Sequence, residues 1–451
     1  MRLIIIGAGK VGVTLLEKLS MEKHDLVIVD KEQERIDYLI NKYDVQGIAG
    51  SGSDLGVLEE VSADKADFLI ACTSRDELNI LCCLLAKKMG TKFTVARVRE
   101  PEYFDETEYM RQELGIDMLF NPEYRTAQEI SKVLRFPSAI NIDTFAGGMA
   151  SIVEWRITAK SPIIGKQVSE IIKEYGVKVL FGLVVRGNNV FIPKGDFVIQ
   201  EGDRVHITAT DAALSAFSKK LHIYKQRARS VFLIGGGRIA YYLAKELSES
   251  GVDVKIIEKD EDRCVELSEE LPKCTILLGD ATNQDVLDEE GLAQSDACVT
   301  LTGMDEENAI ISLYASSKKV DKVVTKVDRP TLAQMVKNLG LETVMSPRNI
   351  IATNIVAFVR STQSGEEGGM VNMYKLHDKV EALEFYVSED FPYTSIPLKD
   401  LKIKQNFLVG GIVRDEEFIL PTGNTVFEAG DNVLIITTNK RINDLSQIVK
   451  G

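Results

Sequence analysis

Two hydrophobic periods alternate along the first hundred residues of the chain. Short runs rich in β-branched residues at 3–6, 26–29, 68–71 and 93–98 indicate buried strands. Segments 11–19 and 78–89 carry apolar residues at helical spacing. Strands that alternate with helices in this way are typical of a parallel, doubly wound sheet. Residues 1–136 are therefore predicted to form a Rossmann-like α/β domain.

The pattern changes in the next part of the chain, after a boundary near residues 137–142. Short strands are predicted at 152–157, 179–185, 190–192 and 204–208, separated by Gly, Asn, Pro and Asp, with a helix near 168–174. This spacing suits a small antiparallel sheet with one or two helices. A second, α+β domain is predicted at 141–224.

The whole chain then repeats itself. Gly-Ala-Gly-Lys-Val-Gly at residues 7–12 recurs as Gly-Gly-Gly-Arg-Ile-Ala at 235–240, and an offset of 228 or 229 also relates Asp30 to Glu258 and Asn79 to Asn308. A period this long indicates two copies of one large module. We predict four domains, at 1–136, 141–224, 230–362 and 370–451. The Gly- and Glu-rich stretch 364–369 has the composition of a flexible connector.

Composition and charge exclude several classes of protein. The 451 residues include 54 Lys and Arg against 68 Asp and Glu, a net charge of -14, which is the wrong sign for a nucleic-acid-binding protein. The apolar runs are far shorter than the ~20 residues of a membrane helix, and no secretory signal is recognisable. The six cysteines include no C-x-x-C pair. We expect a cytosolic chain with reduced core thiols and no bound metal.

The glycines at 7–12 match the phosphate-binding fingerprint of dinucleotide-binding folds, with the strand and helix that it requires on either side. Gly7 would permit the tight turn, Gly9 would let a pyrophosphate approach the backbone, and Gly12 would let the helix pack closely on the sheet. Asp30 follows at the end of the next strand, where it would bind the ribose hydroxyls of adenosine. An alternative is that the glycines only form a tight turn on a sheet without a ligand.

The second copy places the same chemistry at Gly235, Gly237, Ala240 and Glu258. The two carboxylates disfavour NADP, although Lys31 and Lys259 follow them directly. Four cations are candidates for contact with phosphates, namely Lys10, Arg97, Arg238 and Lys326. The copies differ at Ser51, which stands where the second copy has Asp280. NAD, ATP and ADP share adenosine and phosphates, so all three remain possible ligands.

No catalytic constellation accompanies these fingerprints. No histidine is paired with an acid in the sequence pattern, and the chain has no G-x-S-x-G, H-E-x-x-H or P-loop motif. Two Tyr-x-x-x-Lys pairs lie on helices too early in their domains for a short-chain dehydrogenase. The sequence therefore favours a protein that senses a bound nucleotide over an enzyme that converts it. The alternative is a soluble NAD-dependent oxidoreductase whose acid–base group is not identified.

The sequence resembles the TrkA family, the regulatory subunits of bacterial and archaeal Trk potassium uptake systems. These subunits are built from tandem RCK (regulator of potassium conductance) domains. The resemblance spans essentially the whole chain. It rests on the fingerprint at 7–12, Asp30, the segment Thr-Ser-Arg-Asp-Glu-Leu-Asn at 73–79, Ala-Arg-Val at 96–98 and their second copies, including Gly-Asp-Ala-Thr at 279–282. The fold that it implies is two Rossmann-like domains, each followed by a small α+β RCK C-terminal domain.

The resemblance also implies ligands and partners. The large domains would bind NAD(H) or ATP/ADP, and the residues it assigns to this site, beyond those already named, are Ala8, Val11, Thr73, Ser74, Asn79, Val98, Gly236, Ile239, Gly279, Ala281 and Thr302. Several chains, expected to be four, would form a ring on the cytoplasmic face of the membrane. The ring would sit beneath a transmembrane TrkH or TrkG subunit, and the bound nucleotide would gate potassium flux.

Overall fold

The computed structural model describes residues 1–100, 107–363, 369–439 and 442–450. Its first large lobe is a parallel sheet in the order β3-β2-β1-β4-β5-β6, the doubly wound arrangement that the sequence predicts. The strands are β1 (Arg2–Ile6), β2 (Asp25–Asp30), β3 (Gln46–Ala49), β4 (Phe68–Ala71), β5 (Phe93–Arg97) and β6 (Met118–Phe120). The helices are α1 (Lys10–Ser20), α2 (Gln33–Lys42), α3 (Leu55–Glu60), α4 (Asp76–Met89), α5 (Thr107–Leu114) and α6 (Pro122–Arg135).

The second large lobe repeats this sheet in the order β14-β13-β12-β15-β16-β17. Its strands are β12 (Ser230–Ile234), β13 (Asp253–Glu258), β14 (Thr275–Leu278), β15 (Ala297–Thr300), β16 (Lys322–Lys326) and β17 (Thr343–Met345). Its helices are α9 (Arg238–Glu249), α10 (Glu261–Glu270), α11 (Gln284–Glu289), α12 (Asp305–Ser317), α13 (Pro330–Asn338) and α14 (Pro347–Ser361). The internal repeat in the sequence is thus a repeat of topology.

The two small lobes are five-stranded antiparallel sheets, in the orders β10-β9-β11-β8-β7 and β18-β19-β22-β20-β21. The first contains β7 (Asn141–Phe145), β8 (Ala150–Arg156), β9 (Leu180–Arg186), β10 (Asn189–Phe191) and β11 (Arg204–Ala209), with α7 (Val168–Tyr175) and α8 (Asp211–Lys220). The second contains β18 (Met370–His377), β19 (Val380–Tyr386), β20 (Phe407–Arg414), β21 (Glu417–Ile419) and β22 (Asn432–Thr437). Short 3-10 turns lie at Ala63–Lys65, Ala146–Gly148, Leu292–Gln294 and Leu445–Ile448.

These sheets confirm the predicted fold class, two doubly wound domains each followed by a small α+β domain. Strand β7 is missing from the sequence prediction because its alternating polar residues fall in the stretch interpreted as a boundary. The connector predicted at 364–369 lies almost entirely outside the described residues. The four sheets fall within the four predicted domains, whose bounds stay a prediction.

The helix that ends each large lobe packs against the other large lobe. Helix α14 packs on α1, α6 packs on α9, and α6 and α14 contact each other. One buried core joins the first large lobe, α14 and the second small lobe, and another joins α6, the first small lobe and the second large lobe. This interleaving brings the carboxyl ends of the two parallel sheets, where doubly wound folds bind ligands, to face each other.

Candidate functional site

The turn at residues 7–12 uses its three glycines in three different ways. Gly7 has φ +102, which favours glycine, and a Cβ there would meet the backbone of Thr73 at 3.0 Å. A Cβ on Gly12 would lie 1.9 Å from the carbonyl oxygen of Gly7, so only glycine lets α1 approach the turn. A Cβ on Gly9, in contrast, would have no neighbour within 4 Å. Gly9 therefore leaves open space at the start of α1, where a phosphate could approach.

The second copy keeps this geometry with one change. Gly235 has φ +94, and a Cβ on Gly237 would again meet nothing within 4 Å. Ala240 replaces Gly12 and is fully buried. The second turn is therefore also shaped to leave space in front of a helix N-terminus.

The two carboxylates that were predicted to bind ribose hold the fingerprint turns. Asp30 accepts hydrogen bonds from the backbone N–H of Ala8 at 2.6 Å and of Glu32 at 3.0 Å. Glu258 accepts from the backbone N–H of Gly236 at 2.6 Å and of Lys259 at 2.8 Å. Each acid thus fixes the position of the loop that carries its glycines. Contact of either acid with a ribose stays a prediction.

Asn79 stabilises two segments that line the site, at Thr73 and at Arg97. Its side chain is fully buried, accepts from the backbone N–H of Thr73 at 2.8 Å, and donates to the carbonyl of Arg97 at 2.9 Å. Asn308 makes the equivalent bonds with Thr302 and Lys326 in the second copy. These amides tie the loop after the fourth strand to the end of the fifth. The structure gives Asn79, and the fully buried Val98, a supporting position rather than one that faces a ligand.

An aspartate at the start of the fourth helix of each large lobe, buried in the first copy and half-buried in the second, also fixes a loop. Asp76 accepts from the backbone N–H groups of Arg99 and Glu100 at 2.7 and 2.9 Å. Asp305 does the same for Asp328 and Arg329 at 3.0 and 2.9 Å. Sequence analysis predicted no such role for either residue. Their alignment in the repeat is the signal that could have identified them.

A cleft of about 740 Å³ lies between the two large lobes, at the carboxyl ends of β1 and β4. Thirteen of the predicted site residues line it, nine from the first large lobe and four from the second: Gly7, Gly9, Lys10, Val11, Asp30, Lys31, Thr73, Ser74, Arg97, Gly237, Arg238, Ile239 and Lys326. Ser51, the position that differs between the copies, also lines it. Predicted residues of both copies therefore meet in one shared cleft around the first fingerprint, and their contact with a ligand stays a prediction.

The remaining predicted residues do not line this cleft. They are Ala8, Gly12, Asn79, Val98, Gly235, Gly236, Glu258, Lys259, Gly279, Asp280, Ala281 and Thr302. Asp280 is engaged in its own loop, where bonds from the backbone and hydroxyl of Thr282 lower its pKa. The predicted adenosine-binding end of the second copy thus lies outside the lining of the shared cleft. Its role as a ligand site stays a prediction.

Two cations in the cleft are partly removed from water. Burial lowers the pKa of Arg97, and its Nε has no hydrogen-bond partner among the described residues. Burial also lowers the pKa of Lys326, whose Nζ donates to the carbonyl of Thr302 at 2.7 Å. A bound phosphate would supply the acceptors and the negative charge that these groups lack. The thiol of Cys72 faces the same cleft, but burial raises its pKa to about 12, so it is not a nucleophile at neutral pH.

The site also has contacts that sequence reasoning missed. Arg238, a predicted phosphate-contacting cation at the start of α9, forms an ion pair with Glu100 of the first large lobe. Arg348 pairs with Asp328 at 3.2 Å, and both side chains line the cleft from the second large lobe. Residues 100 and 238 lie far apart in the sequence, and no motif links them. Only the tertiary structure could show these contacts.

Comparison with protein-family models gives matches over most of the chain. The TrkA-N domain matches residues 3–122 and 231–347, and the TrkA-C domain matches residues 152–222 and 382–450. The two pairs of matches coincide with the two large and two small lobes. They confirm the repeat and the family resemblance found in the sequence.

Full-length relatives support the same assignment. A Trk system potassium uptake protein TrkA homolog from Archaeoglobus fulgidus is 31% identical, with 100% of both chains covered. The Trk system potassium uptake protein TrkA of Vibrio alginolyticus is 30% identical over 98% of this chain and 96% of its own. That of Halomonas elongata is 29% identical over 99% and 98%.

Solved structures share the fold at lower identity. The GsuK RCK domain superposes with a TM-score of 0.64 and 19% identity, covering 97% of this chain and 92% of its own. The GsuK channel bound to NAD gives a TM-score of 0.62 and 19% identity, covering 97% of this chain and 77% of that one. The tandem arrangement of large and small lobes is therefore that of RCK structures. No helix among the described residues is long and apolar enough to span a membrane.

Proposed function

The chain belongs to the TrkA family, and from this premise we propose that it is the nucleotide-sensing regulatory subunit of a Trk-type potassium uptake system. It would bind NAD(H) or ATP/ADP and gate a transmembrane TrkH- or TrkG-type transporter. The observation that carries the proposal is the shared cleft. Its walls come from both large lobes. Gly9 and Gly237 line it, and a Cβ at either glycine would have no atom within 4 Å.

The cleft suits a nucleotide by its charge and by its position. Lys10, Arg97, Arg238 and Lys326 supply cations around the opening at Gly9. The first fingerprint is complete, with Asp30 at the end of β2 where adenosine binds in doubly wound folds. NAD and ADP are the ligands of GsuK structures with this fold, which supports these two classes as the ones to test.

Regulation would follow from the placement of the ligand between two lobes. A ligand shifts a conformational equilibrium only through different affinities for the two shapes. A nucleotide that contacts both large lobes supplies such a difference, because the second set of contacts is lost when the cleft opens. The small lobes, which share cores with the opposite large lobes, would transmit the movement.

The proposal includes an assembly. We expect the chain to form a ring, with four copies as the predicted number, on the cytoplasmic side of the membrane beneath the transporter. The names of the relatives, which are components of potassium uptake systems, support the partner. We expect no enzymatic turnover and no metal requirement.

The first experiment is a calorimetric titration of the full chain with NADH, NAD, ATP, ADP and NADPH. We expect binding of at least one adenine nucleotide, weakened by Asp30→Ala and little affected by Glu258→Ala, because only the first acid lines the cleft. A chain that binds none of these ligands would contradict nucleotide sensing. Sustained oxidation of NADH with a metabolite panel would favour the oxidoreductase instead.

A second experiment tests the regulatory role. Potassium uptake would be measured in cells that contain a TrkH-type partner and either no chain, the wild-type chain or Gly9→Ala. The nucleotide pool would be varied in each. We expect uptake to follow the nucleotide with the wild-type chain only. Equal uptake with and without the chain would refute the role, independently of any nucleotide binding.

A further inference from the structure

A second cavity, of about 500 Å³, adjoins the nucleotide cleft. It is formed by α1 and α2 of the first large lobe together with the starts of α13 and α14 of the second, and we call it the α2 pocket. Gly9, Lys10, Arg35, Asp328 and Arg348 belong to the walls of both cavities. The pocket is thus a separate space next to the fingerprint, closed by the same two lobes.

Its wall is basic in an acidic chain. Four cationic side chains line it against two acidic ones: Lys10, Arg35, Lys42 and Arg348 against Glu17 and Asp328. The two arginines are already compensated, Arg348 by Asp328 at 3.2 Å and Arg35 by Glu32 at 2.9 Å. The charge available to a ligand therefore comes from the two lysines.

The pocket also presents an aromatic surface. Tyr38 is 60% exposed although it lines the cavity, and Tyr43 lies beside it. The Lys42 ammonium stands over both rings, at 5.6 Å and 5.0 Å from their centroids. An exposed ring next to a cation suits a ligand that has a planar ring and a negative charge.

The internal repeat shows that this chemistry is not a by-product of the fold. In the second copy, Glu266 occupies the place of Tyr38 and Glu270 occupies that of Lys42, on the equivalent helix α10. Arg348 follows the proline that begins α14, whereas Glu123 follows the proline that begins α6. The repeat therefore has a glutamate at each of three positions equivalent to those where the α2 pocket has an aromatic ring or a cation.

We propose that the α2 pocket binds a small aromatic phosphate of the nucleoside monophosphate class, with the ring against Tyr38 and the phosphate at Lys42. This site goes beyond the proposed nucleotide cleft and holds a second ligand at the same time. Because both large lobes close both cavities, occupancy of one would change the affinity of the other, and by linkage the effect is reciprocal.

The test uses phenyl phosphate, which has the ring and the phosphate but no adenosine. Calorimetric titration of the full chain should give one equivalent of binding, also in the presence of saturating NADH. The double variant Tyr38→Glu and Lys42→Glu carries the residues of the second copy at exposed positions of a helix, so it should fold. We expect it to bind phenyl phosphate at least tenfold more weakly while it still binds NADH.

Three results would overturn the inference. They are no binding of phenyl phosphate at millimolar concentration, unchanged binding in the double variant, and simple displacement of phenyl phosphate by NADH. Inorganic phosphate that binds as tightly as phenyl phosphate would overturn the assignment of an aromatic ligand. If the wild-type chain does not bind NADH, only the proposal for the nucleotide cleft fails. A separate titration with NADH alone measures this.

Discussion

At the scale of single residues, the fingerprint separates what the fold requires from what a ligand would require. Gly12 is constrained by the backbone of the protein, because its missing Cβ would lie 1.9 Å from the carbonyl oxygen of Gly7. Gly9 is under no such constraint, since it has φ -72 and no neighbour within 4 Å in the direction of a Cβ. The sequence motif predicts close packing at Gly12 and the approach of a phosphate at Gly9, and the structure has a close contact at Gly12 and open space at Gly9.

Substitution of each glycine by alanine should therefore have different effects. Gly12→Ala should lower the free energy of unfolding by about 1–3 kcal/mol, because the added methyl overpacks a rigid backbone contact. Gly9→Ala should leave it almost unchanged and weaken nucleotide binding at least tenfold, since its methyl fills the space for a phosphate. Urea unfolding and calorimetry measure the two quantities. Equal destabilisation by both variants would contradict this division.

Lys322 is a buried charge that forms no ion pair with a carboxylate of the described residues. Its ammonium lies at the start of β16 and donates to the carbonyl of Ala139 and to the hydroxyl of Thr343 at 2.8 Å. Burial lowers its pKa from 10.5 to about 7. Phe93 occupies the equivalent place in the first copy, within a cluster of aromatic rings. The two copies thus have different chemistry at the start of the fifth strand.

The lowered pKa predicts a pH dependence of stability. Above pH 7 the folded chain has released the Lys322 proton while the unfolded chain, with the ordinary value, keeps it until about pH 10.5. Stability contributed by this group should therefore rise with pH above 7, by up to about 1.4 kcal/mol per pH unit. Lys322→Met should remove that rise between pH 7 and 8.5, as measured by urea unfolding. Identical pH profiles of the two proteins would show that Lys322 is not the titrating group.

At the scale of elements, α14 connects three parts of the molecule. Its apolar side, including Ile351, Ile355 and Val359, lies in the core shared by the first large lobe and the second small lobe. At its end, Arg360 is 7% exposed, bonds to Glu22 before β2, and bonds to Glu381 of β19 at 2.7 Å. Burial opposes the ionisation of Glu22, but hydrogen bonds from His24 and Arg360 outweigh it and lower the pKa of Glu22.

Removal of Arg360 should be costly, because it leaves the buried Glu381 without its partner and the half-buried Glu22 with His24 alone among the described residues. Arg360→Met should destabilise the chain by about 3–5 kcal/mol in urea unfolding near pH 7. Arg329→Met is the matched control: Arg329 pairs with Glu306 on the surface, so its loss should cost no more than about 1 kcal/mol. The difference should shrink as pH falls below 4.5, where protonation of Glu22 removes its charge. Equal losses in both variants would contradict the importance of burial.

At the scale of the whole molecule, the interleaved lobes place two fingerprints around one cleft. The first supplies the complete nucleotide-binding turn, and the second supplies the start of α9 across the cleft. The ion pair between Glu100 and Arg238 bridges the lobes at this point, with both side chains more than 40% exposed. Glu100 therefore neutralises a cation that a phosphate would otherwise contact.

Glu100→Gln should increase the affinity for anionic nucleotides, because it frees Arg238 without changing the size of the side chain. Exposed ion pairs contribute up to about 1 kcal/mol, so we expect an increase of about threefold to fivefold. Calorimetric titration with ADP at two salt concentrations measures it, and the gain should be smaller at high salt. Glu77→Gln, at an exposed acid next to Arg75 on the rim, is the control. Unchanged affinity in Glu100→Gln would show that the pair does not compete with the ligand.

The sequence by itself determined the local structure and the repeat. Strand and helix periods, the glycine turns and the offset between Asp30 and Glu258 predicted both doubly wound sheets, because these features depend on neighbouring residues in the chain. The polar strand β7 was not predicted, since it lies at the edge of its sheet and is paired on one side only.

Only the tertiary structure decided how the copies combine. The packing of α6 on α9 and of α14 on α1 brings residues of both predicted sites to one cleft, pairs Glu100 with Arg238, and places Arg348 in the same cavity walls as Lys10. These contacts join residues that are separated by well over a hundred positions and that belong to no common motif. Local patterns cannot encode them, because their geometry depends on the docking of whole lobes through shared cores.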